Sequence, residues 1–403
     1  MARRFASISA GYSLPMNITI TCKYFSPRGG AQTFLLGFVE HLLGEGHHVK
    51  VITMEVKGET DGVRTQIVSL PPVPKTFRDV MFARAARKAL QHDEYDVSFG
   101  EQKTWGADVV RPGGGVHLEY IAQIIKSYPS SAMRTLASVT KRLSPKELLN
   151  HYIERRLHAD PSLRCVIANS DLVRKHLLKH YPELEGRVEV VYNGTDCDRF
   201  SPALRTHRSQ VRRDLGIPEE AVVGAFVSFD LRRKGLPTVL RSLSILKGKP
   251  VQGDAYAVVV GWRRRWAETL ARKLGVQDRV RFVGAREPDP YYGASDLLVL
   301  PSYFDPCANV TLEALACGLP VLTSVHNGAY ELLTPGRDGF YVRDSSDAAQ
   351  LAEFMQYFMD PQKLAEASRA ARTLALKHTA REQFSRLLDI ITRVAEQKAR
   401  ERR

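Results

Sequence analysis

Short apolar runs alternate along this 403-residue chain with longer stretches in which apolar residues recur every three or four positions. The first pattern marks buried strands and the second amphipathic helices. The alternation predicts strands over 17–24, 49–54, 66–70 and 96–100, with helices over 31–44 and 78–91 between them. Later come a strand over 165–169, a helix opened by Ser170 and a strand over 188–192. Asn193-Gly194-Thr195-Asp196, followed by Ser201-Pro202, is a turn signal that breaks the run. The alternation then restarts with strands over 221–229, 255–261, 280–283, 296–301 and 320–325, and helices from Gly235, over 265–274 and from Val310. Such βαβ repetition predicts parallel sheets. Two doubly wound α/β domains are expected, with ligands in a cleft at the carboxyl ends of the strands. The expected segments are a disordered lead-in over 1–15, Rossmann-like domains over 16–193 and 194–376, and a last helix within 377–403. Thr379 to Glu382 forms a capping box for that helix, and Phe384, Leu387, Leu388, Ile391 and Val394 follow at helical spacing.

The stretch Asp305 to Ser324 reads as a loop, a short helix, a glycine stop and a strand. Asn309 suits the N-cap, Leu312, Leu315 and Ala316 form one apolar face, Gly318 suits the left-handed position after the helix, and Pro320 forbids continuation. The free N–H groups at Val310 and Thr311 make an anion seat. Asp305 and Glu313, separated by seven residues, place one carboxylate in the loop and one about a turn into the helix. Carboxylates so placed accept hydrogen bonds from sugar or ribose hydroxyls, whereas an acid in a first turn also simply offsets the helix dipole.

Three more segments carry candidate chemistry. Gly29 and Gly30 lie between the first strand and first helix, where a backbone approaches a phosphate closely or merely turns. Arg232-Arg233-Lys234-Gly235 stands between a strand and a helix, a position from which cations reach a diphosphate. His117 follows three glycines in Arg111 to Leu118; one of 12 histidines, it has a structural reading as well.

Several of these segments resemble retaining GT-B glycosyltransferases of family 4. Leu312-Glu313-Ala314-Leu315-Ala316-Cys317-Gly318-Leu319-Pro320-Val321 is similar to that family's Leu-Glu-Ala-Met-Ala-x-Gly-x-Pro-Val. The chain departs at the preceding acid, Asp305 where the family has Glu, and at Pro306-Cys307-Ala308 in place of a glycine pair. Gly29-Gly30 with Gly46-His47, Lys234-Gly235, Tyr192 to Asp196 and Phe282 to Arg286 resemble further family segments. Phe229 stands where many members carry an arginine. The resemblance implies the GT-B fold, with an acceptor-side first domain, a nucleotide-sugar-binding second domain and a terminal helix returning to the first. It assigns the donor sugar to Asp305 and His117, and the ribose to Glu313. The diphosphate falls to Arg233, Lys234 and the helix start at Asn309, Val310 and Thr311, while Gly29 and Gly30 become candidates for the diphosphate and the acceptor side. The nucleobase falls to the backbone around Arg286. The Ser228 to Gly235 segment and the His117 loop look most like lipopolysaccharide core glucosyltransferases. The expected activity is retaining, metal-independent transfer of a hexose, glucose from a UDP-sugar, to a glycan or glycolipid acceptor, with no cofactor. The alternative is a GT-B-folded sugar-nucleotide epimerase or a non-catalytic nucleotide-sugar-binding protein.

Charge adds one feature. The net charge of +14 is spread through both halves rather than carried by a tail, and suits a phosphorylated glycan or an anionic membrane leaflet. Residues 120–156 concentrate basic and apolar side chains, which suits peripheral membrane contact or an ordinary solvated helix face. No recognised nucleic-acid-binding module is present, so no nucleic-acid partner is expected. The five cysteines form no metal or disulfide pattern, which suits a reduced cytoplasmic setting, and the basic surface suits association with the inner face of the plasma membrane.

Overall fold

In a computed structural model of the chain, residues 14–26, 30–57, 62–101, 103–247 and 254–403 are described. The chain divides into two compact units, Met1–Arg111 with Arg156–Cys165 and Leu387–Arg403, and Pro112–Arg155 with Val166–Arg386.

In the first unit the strands are β1 (Asn17–Thr21), β2 (Tyr24–Phe25), β3 (His48–Thr53), β4 (Glu55–Val56), β5 (Arg64–Ile67), β6 (Val97–Glu101) and β7 (Val109–Arg111). The main sheet runs in the order β5-β3-β1-β6-β7, and β2 pairs with β4. The pairings are parallel. Ile18, Ile20, Val51, Val97 and Phe99 are buried, as continuous apolar strands covered on both faces require. Helices Gly30–Gly44 and Arg78–Gln91 make the crossovers. The final helix, Ala380–Arg402, opens with Thr379 accepting the Glu382 N–H at 3.1 Å. From Leu387 onward it belongs to the first unit, where the Lys398 ammonium meets Asp108 at 2.8 Å and Arg164 pairs with Glu401. The expected return of this helix is thus observed.

The second unit holds most of β8 (Cys165–Ala168), parallel to β9 (Val188–Val190), and a six-stranded parallel sheet. That sheet comprises β10 (Val222–Val227), β11 (Ala255–Val260), β12 (Val280–Gly284), β13 (Leu297–Val299), β14 (Val321–Ser324) and β15 (Gly339–Val342). Its order is β12-β11-β10-β13-β14-β15. Val223, Ala225, Val258, Leu297, Leu298 and Leu322 are buried in it. The expected turn at 193–196 has a structural cause: a Cβ on Gly194 would lie 2.2 Å from the Thr379 carbonyl oxygen. Thr195 forms a bridge to Thr379 there.

The predicted strands mostly end one to three residues early, because the flanking residues turn into loops once the ladder partner ends. Several elements were not expected, among them β15 and helices Asp289–Ala294 and Pro361–Ala375. Among the described residues no helix is long and apolar enough to cross a membrane.

Candidate functional site

Beyond the carboxyl end of β10 the chain turns through 228–235 before helix Leu236–Lys247. Gly235 closes this turn at φ +84°, where an added Cβ would lie 2.2 Å from the Pro301 carbonyl oxygen, so no side chain fits. The turn presses against the loop that leaves β13. Tyr303 N–H donates to the Arg233 carbonyl at 2.8 Å, and the Arg233 guanidinium donates to the Phe304 carbonyl at 2.8 Å. Lys234 forms an ion pair with Asp305, and Arg233 Nη1 lies 3.5 Å from the same carboxylate. Both Lys234 and Asp305 are buried. Burial, reinforced by the neighbouring Arg233, holds the Lys234 ammonium well below the usual lysine range.

Asp305 is fixed through its backbone. Its N–H donates to His326 at 2.8 Å, its carbonyl accepts from Gly328 at 2.9 Å, and its Oδ1 accepts from the Cys307 N–H at 3.2 Å. Asn327, fully buried, organises the next turn. Its Oδ1 accepts from the Ala308 and Ala329 N–H groups, while its Nδ2 donates to Thr311 Oγ1 and Thr323 Oγ1, both at 3.0 Å.

Helix Asn309–Ala316 follows. Asn309, expected as N-cap, is instead the first helical residue, and Ala308 holds the cap position. The physical reason lies outside the helix: Asn327 satisfies the Ala308 N–H, and the Asn309 side chain accepts from Asn193 Nδ2 at 2.7 Å. The Thr311 N–H turns back to the Ala308 carbonyl at 3.0 Å. No hydrogen bond is recorded to the N–H groups of Asn309 and Val310 from any described residue, so these two remain at the positive end of the helix. The helix closes as expected, with Gly318 at φ +77°, its N–H on Leu315 and the Leu319 N–H on Ala314, a Schellman arrangement.

Glu313 lies on this helix, half-buried. Its Oε2 accepts from the Tyr292 hydroxyl at 2.8 Å. Burial pushes its carboxyl up to about 7, against the pull of the Tyr292 hydrogen bond and the Arg199 charge. Sequence reasoning missed Tyr292 and Asn327 and read Asn193 only as part of a turn and a family-like segment, because no local spacing links residues 16 to 116 positions from their partners.

The His117 loop belongs to the same unit as these residues. His117 opens helix His117–Lys126, its backbone N–H donates to the Glu154 carboxylate at 3.0 Å, and its Nε2 lies 2.8 Å from Glu147 Oε2. A Cβ on Gly115 would come within 2.9 Å of the Pro306 side chain, and Tyr120 meets Phe304 edge-on at 5.7 Å. The structure therefore brings the His117 loop against residues flanking Asp305, with the imidazole held by a carboxylate.

Arg286 does not join this group. Arg286 is exposed, donates to the Val283 carbonyl at 3.1 Å, and lines a cavity of about 690 Å³ beside β12 with Arg263, Arg281 and Phe282. None of the Lys234, Asp305 and Glu313 group lines that cavity. Gly29 falls outside the described residues, and Gly30 is the first residue of its helix in the first unit. That unit has its own cavity of about 230 Å³, lined by Lys23, Gln32, Asp79, Glu101 and Thr104 among others. Among the described residues no group of His, Cys, Asp and Glu is arranged to hold a metal ion. The five cysteines are buried.

Comparison with known proteins adds to this geometry. The family described as Glycosyltransferase Family 4 matches residues 28–199, and the one described as Glycosyl transferases group 1 matches residues 207–373. The D-inositol 3-phosphate glycosyltransferase of Streptomyces avermitilis is 31% identical over 218 residues, 51% of this chain and 47% of that protein. The chain thus spans about half the length of such curated relatives. Lipopolysaccharide glucosyltransferase WaaG of Escherichia coli K12 is 27% identical over 341 residues, 83% of this chain and 87% of that protein. The crystal structure of WaaG, a glycosyltransferase involved in lipopolysaccharide biosynthesis, superposes with a TM-score of 0.75 at 24% identity, covering 93% of this chain and 99% of that one. Two adjoining domain matches, two Rossmann-like parallel sheets and this likeness to WaaG agree: the chain belongs to the family 4 glycosyltransferases of GT-B fold.

Proposed function

We propose that this protein transfers a hexose, glucose, from a UDP-sugar to a glycan or glycolipid acceptor such as a lipopolysaccharide core, with retention of anomeric configuration and without a metal ion. The observation that carries the reading is the convergence of Lys234 and Arg233 on Asp305, in the loop that leads to the open N–H groups of Asn309 and Val310. Without ligand, Asp305 is the counter-charge of Lys234. On donor binding Asp305 accepts from sugar hydroxyls, and Lys234 turns to the diphosphate with Arg233. As the sugar–phosphate bond lengthens toward an oxocarbenium-like state, negative charge grows on the leaving diphosphate. Those cations and the helix start stabilise it, each preorganised donor contributing roughly 10²–10³ in rate. Glu313 accepts from the ribose hydroxyls. His117, held by Glu147, faces the donor sugar. The polar cavity in the first unit, at the carboxyl ends of β1 and β6, suits the acceptor.

The acceptor chemistry also suits a membrane surface. On helix Ser131–Leu143 the side chains of Met133, Leu136, Val139 and Leu143 are exposed among Arg134, Lys141 and Arg142, a combination fit for an anionic leaflet.

The direct test is transfer by folded variants. Lys234→Ala and Glu313→Gln each lower transfer at least ~10²-fold, the scale of one lost preorganised group. Near-normal turnover in both would refute the site. A panel of UDP-, GDP-, ADP- and CMP-sugars, with the product anomer determined, fixes donor and stereochemistry. An epimerised or untouched sugar in that assay would overturn the transferase reading.

A further inference from the structure

Glu313 is held by a residue from another element. Tyr292, fully buried in the short helix Asp289–Ala294, donates its hydroxyl to Glu313 Oε2 at 2.8 Å, the one hydrogen bond recorded to this carboxylate among the described residues. Oε1 is left without a recorded partner.

Tyr292 is itself held from several directions. Its ring meets Phe200 edge-on at 6.0 Å. Arg199 grips the start of its helix through Asp289 at 2.8 Å and Glu287 at 3.1 Å. At the other end, the fully buried Arg212 donates to the Ala294 carbonyl at 2.9 Å and to Asp296 at 2.7 Å. Between these clamps Gly293 lets the helix approach the Leu204 carbonyl, where a Cβ would lie 2.0 Å from the oxygen. A phenol ring fixed in this way keeps its hydroxyl beside Glu313 Oε2.

We propose that Tyr292 is a positioning residue of the donor site: by occupying Oε2 of Glu313 it orients the carboxylate so that Oε1 accepts from the vicinal diol of the donor's ribose. This inference rests on the functional reading above. A buried tyrosine also needs a partner for its hydroxyl simply to avoid an unsatisfied polar group, so the test must separate orientation from mere satisfaction.

The ribose diol provides that separation. Binding of UDP, or of whichever of GDP and ADP the wild type takes, is measured by calorimetry against the matching 2′,3′-dideoxynucleoside diphosphate. Tyr292→Phe is expected to weaken binding of the normal nucleotide roughly tenfold, the scale of one hydrogen bond, while the dideoxy analogue binds as it does to the wild type. Glu313→Gln, which keeps the tyrosine, loses the diol preference as well, and adding Tyr292→Phe to it causes no further loss. Equal weakening for both nucleotides, no weakening, or a further loss in the double variant overturns the role of Tyr292 and leaves the site reading standing. If the wild type binds none of the three nucleotides, the site reading falls and this inference falls with it.

Discussion

A carboxylate that serves a ligand is paid for by the fold, and Glu313 shows the sign. Its carboxyl is pushed from the ordinary 4.5 up to about 7 by burial; Asp289 and Glu287 push the same way, while Tyr292 and Arg199 oppose. Cys317, its own thiol raised by burial, is the other titratable neighbour. The folded protein therefore prefers the protonated acid. Below the unfolded value near 4.5 there is no penalty; it grows as pH rises through the window from 4.5 to about 7 and is complete above that. At ~1.4 kcal/mol per pKa step the full penalty is of order 3 kcal/mol. Glu313→Gln is thus expected to raise Tm at pH 8 and leave it unchanged near pH 4, while transfer collapses. Scanning calorimetry at the two pH values checks this, and a variant no more stable at pH 8 than the wild type would contradict it.

At the scale of elements, the site is made by two turns and a helix start. The 228–235 turn delivers Lys234, the loop after β13 delivers Asp305, and Asn327 joins that loop to helix Asn309–Ala316. Glycine geometry sets the first turn. Gly46 and Gly235 both have φ near +85°, yet a Cβ on Gly46 meets nothing within 4 Å whereas one on Gly235 strikes the Pro301 carbonyl. Gly46→Ala is therefore expected to cost only the backbone strain, about 1 kcal/mol. Gly235→Ala must also displace a backbone, which costs several-fold more and carries Lys234 away from Asp305. Urea unfolding of the two variants and nucleotide binding by the second measure this. Equal destabilisation would show that the Pro301 contact is slack.

For the whole molecule, the +14 charge and the exposed apolar side chains of helix Ser131–Leu143 combine into one expectation. Sedimentation with vesicles of phosphatidylcholine and phosphatidylglycerol (about 7:3) should carry the protein down at low salt. It should fail at high salt and with phosphatidylcholine alone, because screening and neutral headgroups each remove the attraction. Leu136→Asp with Leu143→Asp should weaken the anionic-vesicle binding at least tenfold, since each removes an exposed apolar anchor and adds a charge of the same sign as the leaflet. Undiminished binding by that double variant would place the contact elsewhere.

Most of the architecture was legible along the chain because strand and helix periods are local properties: continuous apolar strands between amphipathic helices dictate parallel sheets. The Asp305 to Ser324 run, its Schellman close and the Lys234-Gly235 pair were legible for the same reason, since each is written in adjacent residues. Local chemistry misplaced the N-cap, because the group that satisfies the Ala308 N–H comes from Asn327, 19 positions away. It was equally silent on Tyr292, on the Glu147 carboxylate facing His117, and on the pairing of Lys234 with Asp305. The sequence by itself determined most of the elements that form and which side chains carry charge. Only the tertiary structure decided which of those charges meet, because the burial that shifts a pKa and the partner that orients a carboxylate come from distant segments of the chain.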